Sequence, residues 1–108
     1  MIPQEQLEKQ ALRIKESIDK ALLYVDGKDL EGVINKITLN SNVIKVFIAL
    51  SGVNGKIEKI EIYDVDGDLL QVQDMEIVKD SHYKFLAVVE ISVENEVIRW
   101  FQKILILI

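Results

Sequence analysis

The sequence contains no cysteine, one histidine, one proline and five glycines in 108 residues. The absence of cysteine excludes disulfide scaffolds, thiolate nucleophiles and cysteine-based zinc or iron–sulfur sites. A single histidine excludes metal sites that need several imidazoles. Because proline and glycine are scarce and 49% of the residues are hydrophobic, the composition is neither disordered nor collagen-like. We therefore predict one compact domain, 1–108, with a substantial core.

Positive charge is also in short supply, with 13 Lys and Arg against 18 Asp and Glu and a net charge of −5. This balance disfavours a phosphate backbone, so we expect protein partners and no nucleic acid. The closing apolar run, Ile104–Ile108, is far shorter than the ~20 residues of a membrane-spanning helix, and no membrane partner is predicted. The first residues carry no basic leader. We predict a cytoplasmic location, or the virion if the protein is phage-encoded.

An apolar stripe with helical spacing occupies the first quarter of the chain. Its residues recur at intervals of four, three, four, three and four: Leu7, Ala11, Ile14, Ile18, Ala21 and Val25. The pattern predicts an amphipathic helix at about 3–24, with Pro3 in its first turn and Gly27 after its end. Two partners for the stripe remain open, the protein's own sheet and a helix of another subunit.

After Gly27 the apolar residues alternate with a period of two between Asn, Gly, Asp and Ser clusters, which predicts strands. The predicted strands are 32–39, 43–50, 56–63, 69–73, 83–93 and 97–108. The Asp66-Gly67 dipeptide predicts a hairpin that joins Ile57–Tyr63 to Leu69–Gln73. The fold class is therefore α+β, an N-terminal helix followed by an antiparallel β-sheet or small β-sandwich of about six strands.

The last predicted strand is apolar on both faces from Ile104 to Ile108. Left uncovered, such a strand is an aggregation hazard. Its cover is the domain's own helix, a neighbouring subunit, or sequence absent from this chain if the chain is a fragment. The candidate interface residues are Leu7, Ile14, Ile18, Trp100, Ile104, Ile106 and Ile108.

Three aspartates, Asp64, Asp66 and Asp68, are spaced as the first ligands of a calcium-binding EF-hand loop are. The rest of that motif is missing, because Gly67 stands at loop position four and Met75 occupies the position of the closing glutamate. We expect a solvated hairpin tip, in which the turn separates the carboxylates, and no metal site.

The remaining candidates for catalysis are few. Ser81 and His82 are adjacent, and neighbouring residues of an extended segment point to opposite faces, so they form a poor nucleophile–base pair. Glu90 and Glu94 share a strand face and are interpreted as solvated residues. The Gly52–Gly55 loop lacks the lysine and following helix of a phosphate site. We predict no catalytic residue, no cofactor and no enzymatic activity.

Aromatic residues concentrate near the end of the chain, at Tyr83, Phe85, Trp100 and Phe101. Aromatic clusters of this kind serve as recognition patches in some proteins. Because these four lie on predicted strands with apolar faces, we expect a core or subunit-interface role.

The segment from Phe47 to Glu94 resembles the β modules of bacteriophage tail and tail-fibre proteins. The likeness rests on the segment Gly55–Leu70, in which a strand leads through the Tyr63-Asp64-Val65-Asp66-Gly67 hairpin into a Leu-rich strand. The Lys-containing loop Val78-Lys79-Asp80 follows. It covers about half of the chain. The resemblance implies a non-enzymatic, structural role in a symmetric assembly and supplies no catalytic residues.

We expect a structural subunit of a multimeric assembly, such as a phage or prophage tail component, with copies of itself as partners. The alternative is a small acidic monomer that binds or regulates a basic protein partner. An enzyme would have to work with carboxylates alone or with residues of a partner.

Overall fold

The computed structural model describes residues 2–80 and 84–93 in full and the backbone of residues 100–107. These residues form one helix followed by antiparallel strands, so the predicted α+β class is confirmed. The elements are α1 (Gln4–Ser17), β1 (Ile18–Val25), β2 (Lys28–Asn40), β3 (Val43–Leu50), β4 (Gly55–Asp64), β5 (Leu69–Lys79), β6 (Phe85–Val93) and β7 (Trp100–Leu107).

Helix α1 begins where the sequence predicts. The carbonyl of Pro3 accepts hydrogen bonds from the backbone N–H groups of Gln6 and Leu7, at 3.0 and 3.2 Å, and Glu5 lies in the first turn near the positive end of the helix dipole. At the other end, the Ser17 hydroxyl donates to the carbonyl of Ile14 at 2.8 Å. Over the described residues, no helix has both the length and the apolar character needed to cross a membrane.

The predicted helix boundary at residue 24 is wrong, because the chain becomes extended at Ile18 and forms β1. Ala21, Leu23 and Val25 are buried at every second position, as in a strand. β1 pairs with β2 on one side and β4 on the other. Pairing on both sides supplies tertiary hydrogen bonds and burial that outweigh the local helical spacing.

The strands form a single sheet in the order β5-β4-β1-β2-β3-β6-β7. β2 pairs with β1 through Lys28–Gly32 and with β3 through Val33–Asn40, so it changes partner along its length. We call β5, β4, β1 and the first part of β2 the first half-sheet. The rest of β2 with β3, β6 and β7 forms the second half-sheet. The sequence predicted either one sheet or a two-sheet sandwich; the described strands form one sheet that has two halves.

One hydrophobic core joins α1 and both half-sheets. Leu7 and Ala11 of α1 are buried in it, and α1 packs against β2, β3 and β6. The stripe of α1 therefore packs on the protein's own sheet. The half-sheets meet at Gly32, where an added Cβ would lie 2.5 Å from Leu23 Cδ1 and 2.7 Å from Ile48 Cγ2. Any larger residue here would force Leu23 or Ile48 to move, because their side chains already occupy the space.

The predicted Asp66-Gly67 hairpin is confirmed, since β4 and β5 pair across it and Gly67 has φ 83°. β2 and β5 are several residues longer than predicted, and β4 is longer by one residue at each end. β2 begins at Lys28, four residues early, and β5 continues six residues beyond Gln73 to Lys79. Bulges between Asp74 and Ile77 and between Leu69 and Gln71 shift the register of β5 against β4.

Candidate assembly surfaces

The two ends of the sheet are β5 and β7. Within the described part of the chain, each of these strands pairs on one side only, β5 with β4 and β7 with β6. An edge strand presents unpaired backbone N–H and C=O groups that can accept a further strand. The sheet therefore has two chemically distinct places where it can be extended.

The edge strand β5 carries exposed apolar and acidic side chains. Leu69 is 49% exposed at one end and Val78 is 79% exposed at the other. Asp74 and Glu76 are exposed between them. Lys79 is buried, and its Nζ donates to the carbonyls of Val53 at 2.9 Å and Asp80 at 3.2 Å. Lys79 therefore does not balance these carboxylates; Glu76 is paired with Lys56 of β4, and Asp74 lies outside that ion pair.

The inner face of β5 contains a second buried polar residue, Gln71, whose Nε2 has no hydrogen-bond partner among the described residues. The strand predicted at 69–73 stops six residues before the end of β5 at Lys79. The signal was present, because Met75 and Ile77 alternate with Asp74 and Glu76.

The predicted interface residues fall into two groups. Leu7 is 1% exposed in the protein's own core, so of the two covers left open for this side chain the structure has the protein's own sheet. Ile14 and Ile18 pack against the same core. The second group lies on or after β7, where the pairing with β6 gives the position of each residue. Trp100 is opposite Val93, Ile104 opposite Val89 and Ile106 opposite Ala87, whereas Ile108 lies outside the described residues.

The outer face of the second half-sheet is largely apolar. Half-buried residues of β3 and β6 lie side by side there: Phe47, Ala49, Leu86 and Val88. The ammonium group of Lys36 lies 4.5 Å from the centre of the Phe47 ring, at cation–π distance. Basic and apolar groups are thus combined on this face.

The outer face of the first half-sheet is a network of tyrosines and charges. Lys20 lies 5.8 Å from the ring centre of Tyr63, and Lys59 lies 5.2 Å from that of Tyr24. The Tyr63 hydroxyl donates to Glu61 at 3.1 Å. Burial, and then the hydrogen bond and charge of Glu61, raise the pKa of Tyr63 above its ordinary value.

The three aspartates of the β4–β5 hairpin lie together, with carboxylate oxygens within 4.8 Å of one another. The expectation that the turn separates them is wrong. Asp64 Oδ1 accepts hydrogen bonds from the backbone N–H groups of Asp66 and Asp68, each at 2.9 Å, and this curls the chain around it. The Asp64 carboxylate therefore serves as a cap for the turn.

The remaining sequence candidates are distributed as follows. Phe85 is buried in the core, as expected. Glu90 is opposite Lys45 in the β3–β6 register and lines an open depression of about 480 Å³ on the outer face. Ser81, His82, Tyr83 and Glu94 lie outside the described residues, as do the side chains of Trp100 and Phe101.

A second open depression, of about 460 Å³, lies between α1 and the end of β2. Glu5, Glu8, Lys9 and Leu12 line its helical side, and Ser41 accepts a hydrogen bond from Gln4 across the gap at 2.8 Å. Charged side chains dominate its rim, and exposed hydrogen bonds join the two elements across this groove.

Comparison with protein families, curated proteins and solved structures finds no match to this chain.

Proposed function

We propose that this protein is a non-enzymatic structural subunit of a multimeric assembly, with copies of itself among its partners. A phage or prophage tail is the assembly that the hairpin resemblance implies. The observation that carries the proposal is the open β5 edge with its exposed apolar side chains. No catalytic residue, metal or cofactor forms part of the proposal.

The energetic argument starts from the cost of leaving this edge in water. Val78 exposes most of its side chain beside unpaired backbone groups. A neighbouring strand would bury apolar surface at about 25 cal/mol per Å² and pair the backbone groups at the same time. Edge strands that face solvent permanently carry protective charge, and β5 carries it only at Asp74 and Glu76.

The acidic net charge supports a protein partner in preference to nucleic acid. It also keeps separate monomers soluble before they assemble, because like-charged molecules repel one another in solution. Both properties suit a subunit that must assemble through specific edges.

Light scattering on a size-exclusion column, at two protein concentrations, tests the proposal. We expect a defined oligomer at both concentrations. Val78→Lys should lower the mass toward the 12.4 kDa of the monomer, since it places a charge at the exposed edge. Val65→Lys is the matched control, because Val65 is 64% exposed in the hairpin turn and lies outside every strand.

A monomeric wild-type protein at both concentrations would overturn the proposal. The alternative, a small acidic module that binds a basic protein, would then be preferred. The acidic hairpin tip favours that alternative, because three carboxylates converge there.

A further inference from the structure

We infer that β5 of one copy pairs with β7 of the next copy, so that the sheet continues from subunit to subunit. This inference rests on the proposed assembly function and names the partner edge. It follows from the different chemistry of the two sheet ends, from the register of each end strand, and from the need to cover both.

The two end strands have opposite charge. Asp74 and Glu76 are exposed on β5, whose lysine is buried. Glu76 is paired with Lys56 of β4, so Asp74 is the acidic residue of this edge that lies outside that ion pair. In the sequence of β7, Trp100–Leu107, the one charged residue is Lys103. An acidic residue and a basic residue attract each other, and opposite charges side by side on neighbouring strands stabilise a sheet.

Pairing of two identical edge strands, β5 with β5 or β7 with β7, is less favourable. An antiparallel pair of two β5 strands that is centred on their middle residue places Asp74 of one copy beside Asp74 of the other, and like charges there destabilise the pair. A pair of two β7 strands leaves both β5 edges uncovered, with Val78 still exposed. Pairing of β5 with β7 covers each kind of edge once per subunit.

The registers of the two strands match by face. Asp74 is opposite Lys59 in the β4–β5 pair and is exposed, so it lies on the outer face. Lys103 is opposite Glu90, which is opposite Lys45, and this row lies on the outer face of the second half-sheet. A continuous sheet requires outer positions to lie beside outer positions. Asp74 beside Lys103 meets that requirement.

The flanking neighbours depend on the relative direction of the two strands. In the antiparallel arrangement Val72 lies beside Leu105, two residues from the charged pair on each strand. In the parallel arrangement Leu105 lies beside Glu76, and Leu107 lies beside the exposed Val78. Each arrangement joins Asp74 to Lys103, so this pair reports the interface in both strand directions.

An interface between two different edges of identical subunits is heterologous. Such interfaces close into rings if the rotation between copies permits and otherwise continue as helical filaments. Rings and tubes are therefore the assemblies that this interface builds.

Because the chain has no cysteine, disulfide cross-linking can test the interface cleanly. Asp74→Cys and Lys103→Cys are made as separate proteins, purified reduced, mixed and oxidised. Paired residues on adjacent strands have Cα atoms about 4.5–5.5 Å apart, which is within the range of a disulfide. We expect a linked dimer in the mixture and none in either protein alone. Val65→Cys mixed with Lys103→Cys is the control and should not link.

Other outcomes overturn the inference in identifiable ways. Linkage of Asp74→Cys with itself indicates pairing of two β5 strands, and linkage of Lys103→Cys with itself indicates pairing of two β7 strands. No linkage, while light scattering still shows an oligomer, overturns the inference and leaves the proposed function standing. A monomer by light scattering overturns both.

Charge exchange provides a second test that needs no disulfide. Asp74→Lys alone and Lys103→Asp alone should each shift the measured mass toward the monomer. The protein that carries both substitutions should recover the oligomer, because the opposite charges are restored in exchanged positions. Failure of this recovery, when circular dichroism shows all three variants folded, would contradict the pairing.

Discussion

The two half-sheets share β2 and one core but are covered differently. The second half-sheet has α1 packed on its inner face through Leu7 and Ala11, whereas its outer face keeps half-buried apolar side chains. The inner face of the first half-sheet meets the second at Gly32, and its outer face carries the network around Tyr63 and Glu61. The first half therefore depends on the join at β2, while the second half has its own helix.

The largest expected effect comes from breaking the join. In Gly32→Val a branched side chain must fit between Leu23 and Ile48, both fully buried. Because overpacking of a dense core forces side chains and backbone to move, we expect a loss of about 3 kcal/mol or more in the free energy of unfolding. Urea denaturation followed by circular dichroism measures it.

The neighbouring substitution Val33→Ala is the control, since Val33 is exposed on the same strand and should cost less than about 1 kcal/mol. Hydrogen exchange adds a regional test. In Gly32→Val, amides of β4 and β5 should lose more protection than those of β3 and β6. Equal urea midpoints for wild type and Gly32→Val would show that the half-sheets do not meet at this residue.

The next effect concerns the helix-covered half. Leu7→Ala removes a buried side chain between α1 and the sheet. We expect a loss of about 2 kcal/mol, near the lower end for Leu→Ala, because a surface helix can move toward the sheet and fill part of the cavity. Leu12→Ala, at a site 42% exposed on the same helix, should change stability by less than about 0.5 kcal/mol. Equal losses for the two variants would mean that α1 does not pack by this face.

A smaller effect separates two turns with the same Asp-Gly sequence. Asp26 has φ 48°, and its Oδ1 accepts a hydrogen bond from the backbone N–H of Lys56 at 2.9 Å. Asp26→Ala should cost about 1–2 kcal/mol, because alanine tolerates a positive φ poorly and the bond is lost. Asp66→Ala should cost less than about 0.5 kcal/mol, since only the Asp66 backbone contributes a hydrogen bond to its turn.

Thermal melts of these variants measure the difference. Asp26→Asn keeps a residue that accepts positive φ and a side-chain oxygen that can accept the bond, so it should recover most of the loss. If Asp26→Ala and Asp66→Ala have the same melting temperature, the hydrogen bond from Lys56 of β4 to Asp26 in the β1–β2 turn contributes nothing to stability.

These two turns also show how far the sequence predicts the fold. Asp66-Gly67 was correctly interpreted as a hairpin because alternating strands flank it. Asp26-Gly27 is the same signal, but Ile18, Ala21 and Val25 continue the helical spacing and made Gly27 resemble a helix end. The alternation of Ala21, Leu23 and Val25 fits equally well, and only the pairing of β1 with β2 and β4 decides between them.

The candidate surfaces divide in the same way. The extent of β5 can be derived from alternation in the sequence, since Asp74 and Glu76 are separated by Met75, but its place at the sheet edge cannot. The pairing of β4 with β1 cannot be derived from the sequence. Two other strands, β2 and β3, lie between them along the chain, and local patterns do not encode such non-local pairing. The closeness of Asp64, Asp66 and Asp68 depends on side-chain capping within the turn, which spacing alone does not predict.

The smallest expected effect concerns the surface of the first half-sheet, where Lys56 on β4 and Glu76 on β5 form an ion pair. The hydrogen bond from Lys56, and then its charge, hold the pKa of Glu76 below its ordinary value of 4.5. The same bond, and then the charge of Glu76, raise the pKa of Lys56 above 10.5. The ion pair therefore stabilises the folded protein at pH values between the pKa of Glu76 and the pKa of Lys56.

Glu76→Gln removes the charge of this pair but keeps the shape of the side chain. Because both groups are exposed and screened by solvent, the melting temperature at neutral pH should fall by no more than about 2 °C. A carboxylate with a depressed folded pKa loses its contribution as the pH falls through that pKa, so the difference should narrow between about pH 6 and about pH 3. Glu58→Gln is the control, because Glu58 acts on Lys56 through charge at longer range. A difference that persists unchanged at low pH would mean that Gln disturbs the packing of β5, since the ion pair no longer exists once Glu76 is protonated.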